Sequence, residues 1–181
     1  MTNKIATPLK ISDIRNIAQF TREKLFEVSA DNYINMVQIL DTLTFKLSRY
    51  EFNYVVLPDD DPTFERMEEA KTDLTTGVIY FKESVIREAI HKRYCRANFT
   101  IAHEIGHFVL HRVLNFINFS RMLSPVQPRV FENPEWQADT FASELLMPYE
   151  QCLSFTPKEL RRKYHVTKLA ATTRYNKIHR N

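Results

Sequence analysis

Residues 99–107 read Phe99-Thr100-Ile101-Ala102-His103-Glu104-Ile105-Gly106-His107, and the two imidazoles four apart decide how the rest of the chain is read. An α-helix turns about 100° per residue, so positions i and i+4 stand on one face, one turn apart. Two neutral imidazoles placed in this way can enter the shell of one Zn²⁺ at about 2.0–2.1 Å, leaving room for a third protein ligand and a water. Glu104 then flanks the ion as a general base for that water, whose pKa the metal lowers toward ~7. On the helical wheel Ile101, Ala102, Ile105, Phe108 and Val109 form an apolar stripe, with His103 and His107 on the opposite side. One side of this helix is expected to pack and the other to face a site.

The chain holds two glycines, Gly77 and Gly106. A glycine inside a helix costs about 1 kcal/mol relative to alanine, so Gly106 implies a close approach, by a substrate or by a crossing backbone. The ordinary alternative is a pair of histidines on an amphipathic helix with Glu104 merely solvated. The next segment weighs against it.

Residues 133–148 read Asn133-Pro134-Glu135-Trp136-Gln137-Ala138-Asp139-Thr140-Phe141-Ala142-Ser143-Glu144-Leu145-Leu146-Met147-Pro148. Asn133 suits an N-cap, Pro134 the first helical position and Pro148 a stop, so a second helix is expected. On its wheel Glu135 and Asp139 align with Ala142 and Leu146, the stripe expected to face the interior, and Glu144 falls on the far side. Carboxylates are almost never fully buried unless paired or bound to a metal. Glu135 is therefore read as the third metal ligand. Asp139 is read as the acceptor that orients a ligating histidine, His103 before His107, through its other ring nitrogen. Capping of the first turn is the alternative, suiting Glu135 better than Asp139, and at this level the two acids can exchange roles. His111 continues the histidine series, but eight residues of helix rise about 12 Å, too far for His103 and His111 to share an ion. It is expected to pack or to support the site. The metzincin pattern is absent, because Val113 stands where its third His belongs.

At this point the chain resembles the ImmA/IrrE-type metallopeptidases. The resemblance rests on residues 99–107 with Leu110-His111 behind them, and on the stretch from Glu135 to Pro148 with Phe141-Ala142 and Leu145-Leu146-Met147-Pro148. It runs from about residue 50 onward and is weaker before that. It implies a minimal gluzincin in which Glu135 is the third zinc ligand and Glu104 the general base. Several members of that family cleave a helix-turn-helix repressor, so a repressor or antitoxin is the partner the resemblance implies.

Composition is compatible with this expectation. At 181 residues the chain is long enough for one sizeable core. No stretch approaches the ~20 apolar residues of a membrane span, and Met1 to Ile14 lacks the apolar run of a secretory signal, so a cytoplasmic protein is expected. Cys95 and Cys152 are too few for a disulfide framework and are read as packing residues. Charge is uneven. From Lys158 to Asn181 eight Lys or Arg stand against one acid, a local +7 in a chain of net charge +3. Lys158 to Ile178 reads as two short helices around a turn at His165, an outline like helix-turn-helix. The turn carries no glycine and the charge is modest, so a solvated face on a packed helical pair is favoured over DNA reading.

Before the motif, Ile11 to Glu27 and Asp31 to Tyr50 have helical spacing, with Asp31 as a cap for the second helix. Phe52 to Leu57 and Val78 to Phe81 read as strands, with an acidic surface loop or short helix between them and the turn residue Gly77 opening the second. Ser84 to His91 suggests a further helix, and Pro125 to Pro134 a stiff connection between the two ligand-bearing helices. The expected fold is α+β. A small, mostly antiparallel sheet packs with helices around a zincin-like active-site helix, and a helical tail follows. Residues 1–50 form an N-terminal helical segment, 51–155 the metallopeptidase core and 156–181 the basic tail. A sheet edge beside the motif helix is expected to pair with an extended peptide. The expected activity is zinc-dependent proteolysis of a regulatory protein. A zinc-containing module that sequesters such a partner without cutting it is the alternative, and Glu104 argues for the former, since a structural site needs no base. Tyr94, Tyr149 and His111 are the candidates for stabilising the oxyanion.

Overall fold

The computed structural model describes residues 6–91, 95–114 and 132–179. Helix α1 (Ile11–Phe20) continues as a π-helical turn (Thr21–Leu25), and α2 (Val37–Lys46) leads through a 3-10 turn (Ser48–Tyr50) into the strands β1 (Asn53–Leu57), β2 (Ala70–Asp73) and β3 (Val78–Lys82). Then follow α3 (Glu83–Ala89), α4 (Cys95–His107) with a π-helical continuation (Phe108–Val113), α5 (Pro134–Leu146), α6 (Tyr149–Cys152), α7 (Pro157–Tyr164) and α8 (Lys168–His179). The class is α+β, as expected. The sheet is mixed, with order β1-β3-β2. β1 runs parallel to β3 from Asn53↔Val78 to Leu57↔Lys82, and β2 antiparallel to it from Ala70↔Phe81 to Asp73↔Val78. β2, which lies between the other two in the chain, takes the far edge and leaves β1 and β3 side by side.

The acidic run from Asp59 to Glu69 is a surface loop, as expected, and the unanticipated strand β2 follows it at Ala70 and closes a tight hairpin into β3. The Asp73 carboxylate accepts the backbone N–H of Thr75 and Thr76 and the Thr76 hydroxyl, and the Gly77 N–H donates to Asp73 O at 2.8 Å. Gly77 has φ +82°, and a Cβ there would stand 2.6 Å from Glu51 O and 2.9 Å from Arg112 Nε, so conformation and space both require glycine. Asp59 of the acidic run accepts the Ser84 N–H at 2.9 Å and so caps the first turn of α3.

Helix α2 begins six residues later than Asp31. The buried Arg22 guanidinium takes the carbonyls of Ser29, Ala30, Asn32 and Leu145, which holds residues 29–32 out of helical pairing. Burial drives the pKa of this arginine down to about 10. Asn98 of α4 instead caps the start of α2, accepting from Met36 N at 2.8 Å and donating to Ile34 O at 3.0 Å. Asp31 pairs with Lys163.

The apolar stripe of α4 is buried as expected, with Ile101, Ala102, Ile105 and Phe108 wholly enclosed among Ile79, Phe81, Phe141, Ala142 and Leu145. Met147, Cys152, Leu160, Tyr164, Val166 and Ala171 form a second cluster under α7 and α8. The turn between these helices places His165 at φ +49°. Neither Cys95 nor Cys152 takes part in a disulfide among the described residues. The face assignment on α5 is corrected here. Glu144, expected outside, is buried and held by Arg174 at 2.5 and 2.8 Å, with Arg15 alongside at 3.3 Å. Helix α5 packs against α4 on one side and against α1 and the tail on the other, which encloses Glu144 and leaves Asp139 exposed.

Candidate metal centre and cleft

Helices α4 and α5 cross at Gly106. A Cβ at this position would stand 3.0 Å from Phe141 Cδ1 and 3.3 Å from Ala138 Cα and O, so the glycine answers to a crossing backbone. The crossing lays the first turn of α5 beside the exposed face of α4. Asn133 fixes where that turn starts, its side-chain oxygen accepting the N–H of Glu135 at 2.9 Å and of Trp136 at 3.2 Å, with Pro134 at the first helical position.

Glu135 therefore emerges next to the histidines. The Nε2 atoms of His103 and His107 lie 3.0 Å apart. Glu135 Oε2 is 3.3 Å from the first and Oε1 3.4 Å from the second. A tetrahedral shell of radius 2.0–2.1 Å has edges of about 3.3–3.4 Å, so the three donors are spaced as ligands of one ion. His103, His107 and Glu135 thus form a group able to hold a metal, their ligand atoms all within 4.8 Å of one another. Asp139, one turn along α5, lies 2.9 Å from His103 Nδ1. An ionised carboxylate only accepts, so Nδ1–H is the donor, and Nε2 is the nitrogen that faces His107 and Glu135.

Glu135 and Asp139 are not core residues. Their side chains are 69% and 60% exposed, on the rim of an open cleft, while the histidines are 16% and 12% exposed. The expectation of an interior stripe fails for them because over the first two turns of α5 this face borders open cleft and solvent rather than packed core. Burial opposes charge on His103, but its hydrogen bonds to Asp139 and Glu135 and the field of Glu104 outweigh this and push its pKa up to about 10. The same contacts with His103 and His107 hold Glu135 well below the usual carboxylate range. The cluster favours positive charge at the donor atoms, whether proton or cation.

The cleft encloses about 780 Å³ between α4, the start of α5 and strand β2. The expected sheet edge beside the motif helix is present, since β2 is an edge strand and its Lys71 and Thr72 line the cleft with Glu104. Glu104 is buried, and its Oε2 accepts the Thr72 hydroxyl at 2.6 Å. Thr72 was not anticipated. Ala70-Lys71-Thr72-Asp73 has no alternating apolar pattern, and only the Asp73 to Gly77 turn signal points to a hairpin. Nearby, Glu69 pairs with Arg96 at 3.0 Å and accepts from Thr100 at 3.2 Å, tying β2 to α4 a second time.

Of the oxyanion candidates, His111 lines the cleft. Burial and the neighbouring His107 lower its pKa to about 4, which leaves the ring neutral near pH 7. Tyr149 packs under the Arg15 guanidinium, 3.5 Å from ring centre to Cζ, away from the cleft. Tyr94 and the connection from Pro125 through 131 lie outside the described residues. No helix among the described residues is long and apolar enough to cross a membrane.

The site agrees with what the chain is similar to. The family model of Peptidase M78, described as the IrrE N-terminal-like domain, matches residues 63–176, which include α4, α5 and β2. No curated protein matches the chain. A match over most of the chain, through the His103, His107 and Glu135 group, places this protein in the Peptidase M78, IrrE N-terminal-like family of metallopeptidases.

Proposed function

We propose that this protein is a cytoplasmic zinc-dependent endopeptidase that cleaves a regulatory protein, a helix-turn-helix repressor or an antitoxin. The observation that carries the reading is the convergence of three donor atoms from two helices beside a buried carboxylate, on a cleft flanked by a sheet edge. His103, His107 and Glu135 are the ligands, Asp139 orients His103, and Glu104 is the general base. Zinc held there supplies Lewis-acid polarisation of the scissile carbonyl and a lowered water pKa. Glu104 accepts a proton from the attacking water and returns it to the departing amine nitrogen as the C–N bond breaks. The edge of β2 offers backbone N–H and C=O groups to an extended substrate segment. DNA reading by the basic tail is not favoured in this reading, since Arg174 pairs with Glu144 and Lys163 with Asp31.

The test is incubation of zinc-loaded protein with candidate helix-turn-helix repressors and antitoxins from the same cell. Two fragments are expected from the native enzyme. Glu104→Gln should keep its zinc and lose about 10²–10⁴-fold in rate, the usual worth of a general base. If both forms bind the partner and relieve repression equally without a fragment, sequestration is the function and proteolysis is not.

A further inference from the structure

We propose that Thr72 is the positioning residue of the general base, its hydroxyl holding one oxygen of Glu104 so that the other is aimed into the cleft. The inference rests on the proteolytic reading for its chemistry, and on the β2 hairpin for its geometry.

The Thr72 Oγ1 lies 2.6 Å from Glu104 Oε2 and 3.2 Å from the Glu104 carbonyl oxygen. A hydroxyl has one proton, and the short contact to the charged acceptor takes it. A carboxylate that must meet a water has two equivalent oxygens and a broad terminal torsion, so without a second contact its aim is not defined. Thr72 removes that freedom, and as a β-branched residue it has little of its own. Its backbone is equally fixed. Thr72 stands opposite the wholly buried Ile79 in the β2–β3 ladder, and the hairpin beyond it is closed by Asp73. Arg112, on the π-helical continuation of α4, donates to the carbonyls of Leu74 at 2.5 Å and Thr75 at 2.8 Å. The helix that carries the base is thereby clamped to the strand that aims it. Because β2 is also the cleft edge, one strand sets both the path of a paired peptide and the direction of the proton acceptor.

The experiment compares Thr72→Val, which keeps shape and removes the donor, with Thr72→Ser, which keeps the donor. The zinc-loaded proteins are assayed on a library of unstructured peptides, with cleavage read by mass spectrometry. Thr72→Val should lower kcat about ten- to a hundredfold, the scale of a slightly misplaced catalytic group, with KM and zinc content unchanged. Thr72→Ser should restore most of the rate. In a Glu104→Gln background Thr72→Val should cost nothing more, whereas an effect through general destabilisation would multiply. Full activity in Thr72→Val, or a multiplied loss in the double variant, overturns the proposal. A native enzyme that cuts nothing in the library counts against proteolysis, and the crystal structure of zinc-loaded Thr72→Val then decides about Thr72. Glu104 displaced from its native rotamer supports the proposal, and an unchanged, well-ordered Glu104 overturns it.

Discussion

Asp139 shows how much a residue can matter without touching an ion. It sits mostly in water and accepts a single hydrogen bond, yet that bond selects the tautomer of His103. Replacing it with asparagine keeps the size and removes the charge. Asp139→Asn is expected to weaken zinc affinity about 10–100-fold, measured by competition with a chromogenic chelator. The metal-free protein should also lose stability near and below pH 7, since the hydrogen bond that raises the His103 pKa favours the protonated folded form. His103, His107, Glu135 and Asp139 were all legible before any fold was known, because the helical repeat and the Asn133-Pro134 start act within four residues of chain. Thr72 was not, since its partner Glu104 is 32 positions away and nothing local marks it.

Between α4 and α5 the decisive contact is one missing methyl group. Alanine at position 106 would gain up to about 1 kcal/mol of helix propensity. Its Cβ, however, meets the Ala138 backbone at 3.3 Å and the Phe141 ring at 3.0 Å, and the backbone yields only if α5 shifts. Overpacking of this kind typically costs about 1–3 kcal/mol, so the clash wins. Gly106→Ala is expected to lose about 1–2 kcal/mol in urea unfolding of the metal-free protein and, by moving Glu135 off the histidines, to bind zinc more weakly. Equal affinity would show that the crossing does not set the site. At the level of elements, the strands β1 and β3 and the two motif helices stood out through their apolar periodicity. β2 did not, because a four-residue edge strand beside an open cleft buries too little to leave a pattern.

Across the molecule, the Arg174–Glu144 pair joins the C-terminal helix to the helix that carries Glu135 and Asp139, with both side chains at 5% exposure or less. Removing one partner leaves a buried charge uncompensated. Glu144→Ala is expected to cost about 3–5 kcal/mol of stability in denaturant unfolding, and pairing it with Arg174→Met should recover much of the loss. Acid should act more broadly. Asp59, Asp61, Asp73 and Glu159 all titrate below the ordinary carboxylate range, lowered by hydrogen bonds from Ser84, Thr63, Thr76 and Thr156 respectively. Folded values below unfolded ones mean that these groups contribute stability above pH ~4–5 and lose it as pH falls through the folded values. The unfolding temperature of metal-free protein should therefore begin to decline as pH falls below about 6, where the neutral buried His111 opposes protonation, and decline further below pH 4. A rise in that range would contradict the assignment. The chain alone disclosed the α+β class, the two motif helices and the side chains that they bring together, because periodicity and capping are properties of neighbouring residues. Folding settled which carboxylate of α5 is buried and which meets water, where β2 runs, and what Glu104 leans on. Each of those depends on partners distant in sequence, Arg15 lying 129 positions from Glu144 and Arg174 30, and a helical wheel holds no record of what will pack against it.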